Sequence, residues 1–198
     1  MILGEPLQIT QLIAGIFQRF NIDYMIAGSL ASSFHGIPRA THDVDIVADI
    51  KLQHVEDLIG ALKNDFYIDQ DLVKKAIKQT SSFNIIHLET MFKIDIFILG
   101  DDPNSKAEMK RRQSYQISEK SKKELFLASA EDIIIRKLQW FELSNRISDR
   151  QWEDVIGVLK VKKDKLDYDY LDKAASQCKV NELLKLAIEE VEKMKVDN

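Results

Sequence analysis

The chain has 198 residues, of which 45% are apolar and 30% charged, with only 7 Gly and 3 Pro, a composition that excludes disordered and collagen-like proteins. The formal net charge of −4 argues against a protein whose whole surface binds nucleic acid. A single cysteine, Cys178, excludes a disulfide framework and thiolate metal clusters, and indicates a reducing compartment.

The first predicted element is an amphipathic helix over residues 6–20, where apolar side chains recur at helical spacing. Polar residues interrupt this stretch, and it lacks the basic start and the small-residue cleavage site of a signal peptide. We therefore expect a cytoplasmic protein that does not enter a membrane.

Short apolar stretches with turn signals follow. The run Tyr24–Ala27 has the length of a strand, and Gly28-Ser29 at its end precedes a helical stretch over residues 30–34. Residues 43–48 alternate with period two and are predicted to form a strand. Further along we predict helices over residues 53–63 and 71–80 and paired strands over residues 83–88 and 92–99.

The last third of the chain has a different pattern, which is helical only from about residue 125 onward. Ser129 and Asp132 are spaced as a capping pair for a helix that reaches about residue 144. Further helices are predicted over residues 148–161, 168–177 and 180–195. The sequence thus predicts an α+β fold, with a small mixed sheet flanked by helices in a domain over residues 1–124 and a helical region over residues 125–198.

Three aspartates lie on predicted strands. Asp43 and Asp45 are two positions apart, so both side chains leave the same face of the sheet, about 6.6 Å apart along the backbone. On the strand over residues 92–99, isoleucines line one face and Asp95 lies on the other. If these strands are neighbours, three carboxylates converge and their repulsion must be offset. Such hard oxygen ligands favour Mg²⁺ or Mn²⁺, typically shared with substrate phosphates.

Gly28-Ser29 supplies a second feature of this site. A strand-to-helix turn with glycine lets a phosphate approach the backbone, and the first amides of the helix and the Ser29 hydroxyl can donate hydrogen bonds to it. The signal is weak alone. It becomes specific when Asp-x-Asp follows after 13 intervening residues and a further aspartate lies on a later strand.

The order Gly28-Ser29, then Asp43-Val-Asp45, then Asp95 between two isoleucines resembles the nucleotidyltransferase superfamily with the DNA polymerase beta-like catalytic core. The span over residues 35–45 looks like the branch of AbiEii-type abortive-infection toxins and related nucleotidyltransferases. That branch continues into helices with a Lys-Leu pair and then an Arg and an Asp. The matching residues here are Lys137-Leu138, Arg150 and Asp154, and the resemblance covers about residues 7–160.

The resemblance implies transfer of a nucleoside monophosphate from an NTP to a hydroxyl acceptor, with RNA or protein as the acceptor and a cognate antitoxin as a partner. Asp43 and Asp45 would hold Mg²⁺ or Mn²⁺, and Asp95 would bind a second metal ion and help deprotonate the acceptor. Gly28 and Ser29 would cradle the β and γ phosphates. Further nucleotide-binding candidates are Arg39, Thr41, Lys137, Arg150 and Asp154.

The sequence leaves some of these roles open. Lys137 falls in the middle of an apolar helix face, so its ammonium must reach solvent or meet an anion, for which a nucleotide phosphate would suit. Arg150 and Asp154 are four residues apart, so an intrahelical ion pair is an equal alternative to a role in the site. The basic run over residues 106–123 is either a solvated face or an RNA contact.

Other functions remain as alternatives. A small-molecule nucleotidyltransferase of the antibiotic-modifying kind would share the paired aspartates, but it would have an enclosed acidic pocket where an RNA-directed enzyme has a basic groove. A noncatalytic nucleotide-binding module is a third reading. The Asp-x-Asp pattern also occurs in haloacid dehalogenase-like phosphatases, but the residues before Asp43 are not the buried strand that those enzymes need.

Overall fold

A computed structural model describes residues 4–118 and 121–196 and shows one mixed sheet with helices around it and after it. The strands are β1 (Tyr24–Ala27), β2 (Asp43–Ala48), β3 (Phe66–Tyr67), β4 (Ser82–His87), β5 (Lys93–Ile98), β6 (Gln113–Ser118) and β7 (Ser121–Leu127). The helices are α1 (Gly4–Arg19), α2 (Gly28–His35), α3 (Val55–Leu62), α4 (Gln70–Gln79), α5 (Pro103–Arg111), α6 (Ala130–Leu143), α7 (Asp149–Lys162), α8 (Tyr168–Gln177) and α9 (Asn181–Val196).

The seven strands of the sheet are ordered β3-β4-β5-β2-β1-β7-β6. The central strand β2 runs antiparallel to β1 and parallel to β5. On β2 and β5 alternate residues are fully buried, namely Val44, Ile46, Ile94 and Ile96. The residues between them are half-buried, so one face of the strand pair packs into the core and the other presents polar side chains.

The α+β class, with a mixed sheet, flanking helices and a helical C-terminal region, is confirmed. The sequence did not predict β3, α5, β6 or β7. The expectation of helices only from about residue 125 is wrong at its start, because β7 continues to Leu127. Ser129 caps α6 as expected, since its hydroxyl accepts a hydrogen bond from the backbone N–H of Asp132. No helix among the described residues is long and apolar enough to cross a membrane.

The chain divides into two compact units. One runs to Leu30 and resumes from Ala40 to Ala128, and it contains the sheet. The other comprises Ala31–Arg39 and the chain from Ser129 onward. Inside the second unit the short early segment packs tightly, because a Cβ built on Gly36 would lie only 2.6 Å from the backbone nitrogen of Val158 in α7.

Candidate active site

Asp45 and Asp95 are direct neighbours in the sheet. The parallel register of β2 and β5 pairs Asp45 with Asp95 and Asp43 with Lys93. Side chains at paired positions of parallel strands leave the same face, and residues two positions apart on one strand do so as well. The structure therefore brings Asp43, Asp45 and Asp95 to one face of one strand pair, the arrangement that the sequence made conditional on the strands being neighbours.

Lys93 is a fourth member of this cluster. Its Nζ lies 2.7 Å from Oδ2 of Asp95. The hydrogen bond to Asp95 raises the pKa of Lys93 above its usual value, loss of hydration opposes this rise, and the charges of Asp95, Asp43 and Asp45 add to it. Lys93 therefore stays charged at neutral pH. Lys93 was given no role from the sequence, although a residue two positions before Asp95 on one strand lies on the same face as Asp95.

Gly28 makes room for the carboxylate of Asp45. The residue has φ +57°, which is strained for any residue with a Cβ. A Cβ built on it would overlap Oδ2 of Asp45 and lie 2.7 Å from its Cγ. The glycine at the end of β1 is thus required both by its backbone conformation and by the close approach of Asp45.

Two further predicted residues lie in the same unit. The hydroxyl of Thr41 is 2.9 Å from the carbonyl oxygen of Asp43 and 3.2 Å from its Oδ1, and it donates to that residue. Thr41 thereby fixes the entry to β2 and has its hydroxyl directed at the first aspartate. Ser29 is half-buried in the first turn of α2, directly after the glycine that contacts Asp45.

Arg39, Lys137 and Asp154 form an ion cluster in the second unit. The Nε and Nη2 of Arg39 donate to Oδ1 and Oδ2 of Asp154 at 2.7 and 2.9 Å, a bidentate geometry. Lys137 Nζ lies 2.8 Å from Oδ2. The side chains of Lys137 and Asp154 are only 7% and 4% exposed, whereas that of Arg39 is 29% exposed. The anion that Lys137 meets on its apolar helix face is thus Asp154.

The ionisation of Asp154 reflects two opposed influences. Burial raises its pKa and is the largest of them, but the hydrogen bond from Arg39 and the charge and hydrogen bond of Lys137 together outweigh it, so the pKa of Asp154 is lowered. Two cations around one carboxylate leave the cluster with a net positive charge. Arg150 is exposed on α7; among the described residues Asp154 pairs with Arg39 and Lys137, so the intrahelical alternative is not formed.

The first unit offers donors that fit a divalent cation. Asp43 and Asp45 present hard carboxylate oxygens from one face, and the missing side chain of Gly28 leaves the space that the carboxylate of Asp45 uses. Within the described ranges, no group of three or more His, Cys, Asp or Glu side chains could hold a metal ion. One or two carboxylates completed by substrate phosphates are the usual protein site for Mg²⁺, so the residues present fit that ion.

Part of the basic run is used inside the first unit. Lys106 Nζ lies 3.2 Å from Asp101, and Arg112 Nη2 lies 2.7 Å from Asp23. The Arg112 guanidinium also covers the ring of Phe126 at 5.0 Å. Lys106, whose side chain is 53% exposed, fits a solvated face at its position, whereas Arg112, whose side chain is 21% exposed, is partly buried against Phe126. Residues 119 and 120 lie outside the described part of the chain.

Comparison with known proteins shows similarity at the level of structure. No sequence profile of a known protein family matches the chain, and no curated protein sequence matches it. An antigenic nucleotidyltransferase-like protein from Paracoccidioides brasiliensis is 17% identical with a TM-score of 0.58, over 92% of this chain and 91% of that one. The antibiotic-resistance factor ANT(2'')-Ia is 10% identical with a TM-score of 0.56, over 100% of both chains. The chain therefore has the fold of nucleotidyltransferase-like proteins.

Proposed function

We propose that this protein is a metal-dependent nucleotidyltransferase that transfers a nucleoside monophosphate from an NTP to a hydroxyl group of RNA or protein, as the resemblance to AbiEii-type proteins implies. The observation that carries the proposal is the pairing of Asp45 with Asp95 across β2 and β5, with Asp43 on the same face and Gly28 against Asp45. The nucleotidyltransferase-like fold supports it.

The nucleotide would bind between the aspartates and the start of α2. Asp43 and Asp45 would hold Mg²⁺ or Mn²⁺, which neutralises phosphate charge and orients the triphosphate when bound. Gly28 has no side chain to keep a phosphate from the backbone, and the Ser29 hydroxyl can donate a hydrogen bond to a phosphate oxygen. Thr41 holds the loop before Asp43 in place through its hydrogen bond to the Asp43 carbonyl.

The reaction needs no covalent nucleophile from the protein. The acceptor hydroxyl oxygen forms a bond to the α-phosphorus, the bond from that phosphorus to the pyrophosphate oxygen breaks, and pyrophosphate leaves with the electron pair. Asp95 accepts the proton of the hydroxyl and releases it to solvent. Catalysis of this kind depends on positioning and on stabilisation of charge.

The second unit holds the other predicted nucleotide-binding residues, Arg39, Lys137, Arg150 and Asp154. Lys137 is buried against Asp154, so we assign it to holding the cluster together. Arg39 is the more exposed cation of the cluster, which makes it the better candidate for a phosphate contact. Arg150 lies on the surface of α7 and is the weakest of the predicted nucleotide contacts.

The test is a labelling experiment with each α-labelled NTP in turn, Mg²⁺, total RNA and cell lysate. We expect one NTP to label a macromolecular band, and we expect the Asp43→Asn and Asp45→Asn variants to lose the label. Labelling that persists in both variants would overturn the proposed role of these aspartates. Label found only on small molecules, such as an added aminoglycoside or lincosamide, would establish the antibiotic-type alternative instead. Binding of NTP without any transfer would identify a noncatalytic module.

A further inference from the structure

We propose that the ammonium of Lys93 takes the place of a second metal ion in the aspartate cluster, so that the site binds one divalent cation and not two. This inference rests on the proposed function, because it concerns the metal that Asp43 and Asp45 would hold. It changes the role expected for Asp95, which is then a carboxylate held by a lysine and is not a metal ligand.

The sheet register places the Lys93 ammonium where it can take the place of a second metal ion. Lys93 lies opposite Asp43, and Asp95 lies opposite Asp45, so the four residues form two adjacent cross-strand pairs on one face of β2 and β5. The Lys93 ammonium is 2.7 Å from Oδ2 of Asp95, within hydrogen-bonding distance for a charged pair. A metal ion on the same oxygen would have to displace the ammonium or approach it closely against like-charge repulsion.

Before a nucleotide binds, the formal charge of the cluster favours the same number of ions. Three carboxylates and one ammonium leave a formal charge of −2, which one divalent cation neutralises. Without Lys93 the charge would be −3, and a second divalent cation would be favoured. The side chain of Lys93 is 44% exposed and that of Asp95 is 22% exposed, so both charges of the pair are partly accessible to solvent. Because Lys93 contacts Oδ2 of Asp95, the proposed transfer of the acceptor proton would be to Oδ1.

The experiment counts metal ions directly. The full-length protein is titrated with MnCl₂ by isothermal titration calorimetry, with free Mn²⁺ followed by electron paramagnetic resonance, in the presence and absence of a non-hydrolysable NTP analogue. The variants are Lys93→Gln and Lys93→Arg. The matched control is Lys51→Gln, which removes a similarly exposed lysine that is 2.7 Å from Asp49 and not in the aspartate cluster.

We expect one Mn²⁺ per chain for the wild type, Lys93→Arg and Lys51→Gln, and two for Lys93→Gln. Two Mn²⁺ bound to the wild type, or a single Mn²⁺ bound to folded Lys93→Gln, would overturn the inference and leave the proposed function standing. A count of two Mn²⁺ for the wild type overturns the inference even if Lys93→Gln does not fold. Failure of the wild type to bind any Mn²⁺, with or without the nucleotide analogue, would overturn the proposed function itself.

Discussion

Replacing Gly28 with alanine tests the link between backbone and site. The change adds one methyl group at a residue with φ +57°, where that group would overlap Oδ2 of Asp45 and lie 2.7 Å from its Cγ and 3.0 Å from its Cβ. An ordinary contact between such atoms is about 3.5–4 Å. Either the carboxylate of Asp45 or the turn between β1 and α2 must therefore move.

The expected cost has two parts. A left-handed conformation is unfavourable for an L-residue by about 1–2 kcal/mol, and forcing a methyl group into an occupied space costs about 1 kcal/mol or more. We expect Gly28→Ala to lower the free energy of unfolding by about 2–3 kcal/mol. Displacement of Asp45 should also weaken Mn²⁺ binding by about 10–100-fold, the range found when groups that orient a metal ligand are removed.

Urea denaturation measures the first quantity, and calorimetric titration with MnCl₂ measures the second. The matched control is Gly60→Ala in α3, where a Cβ would meet nothing within 4 Å. That change should stabilise the protein by about 0.5–1 kcal/mol, because glycine is unfavourable inside a helix. If Gly28→Ala loses less than about 0.5 kcal/mol, the scale of a neutral surface change, and binds Mn²⁺ like the wild type, the geometric reasoning is refuted.

Three further predictions concern the second unit. Asp154→Ala should lower the free energy of unfolding, measured by urea denaturation, by about 3–5 kcal/mol, because it leaves Lys137 buried without its counter-ion. The control is Glu153→Ala at the neighbouring exposed residue, which should change the free energy of unfolding by less than about 0.5 kcal/mol. Equal losses in the two variants would contradict the pairing of Asp154 with Lys137. The pKa of Asp154 is lower in the folded protein than in the unfolded chain, so its stabilising contribution is complete above the unfolded pKa of about 3.9 and is lost as the pH falls through the folded value. Urea midpoints measured from pH 6 to pH 2 should therefore fall less steeply for Asp154→Asn than for the wild type. Parallel curves for the two proteins would contradict the ion cluster. Gly36→Ala places a methyl group 2.6 Å from the backbone nitrogen of Val158 and should cost about 1–3 kcal/mol, whereas an unchanged melting temperature would show that the two backbones can separate freely.

Periodicity explains why most of the sheet could be predicted. Every second residue of β2 is buried, as are Ile94 and Ile96 of β5, so the apolar alternation is strong and its phase also placed the aspartates. By contrast, β7 is polar at its start and joins β1 only at the pairing of Leu127 with Ile26, while most of its length pairs with β6. A two-stranded ribbon of this kind needs no continuous buried face, and it leaves no period-two signal.

The helix α5 was missed for a related reason. Met109 is its buried residue, so no apolar stripe marks it. Its start signal was nevertheless present in the sequence, since Asp102 caps the helix through the N–H groups of Asn104 and Ser105 and Pro103 occupies the first helical position.

The site could be predicted as far as strand geometry determines it. The common face of Asp43 and Asp45 follows from spacing alone, whereas the pairing of Asp45 with Asp95 depends on which strands are neighbours, a long-range property. The partner of Lys137 could not be deduced either, because α6 and α7 must pack against each other before Asp154 reaches it. The sequence left two outcomes open for that lysine, contact with solvent or with an anion, and did not select Asp154 as the anion.

The segment Ala31–Arg39 limits how this protein can be divided. It precedes most of the sheet in the sequence, yet it belongs to the helical unit, where Gly36 abuts the backbone of α7 and Arg39 binds Asp154. A chain cut after residue 128 would keep this segment and lose the α7 residues that Gly36 and Arg39 contact. Recombination at a single point therefore cannot exchange the whole helical unit between two proteins. A chimera must transfer the segment Ala31–Arg39 together with the C-terminal helices.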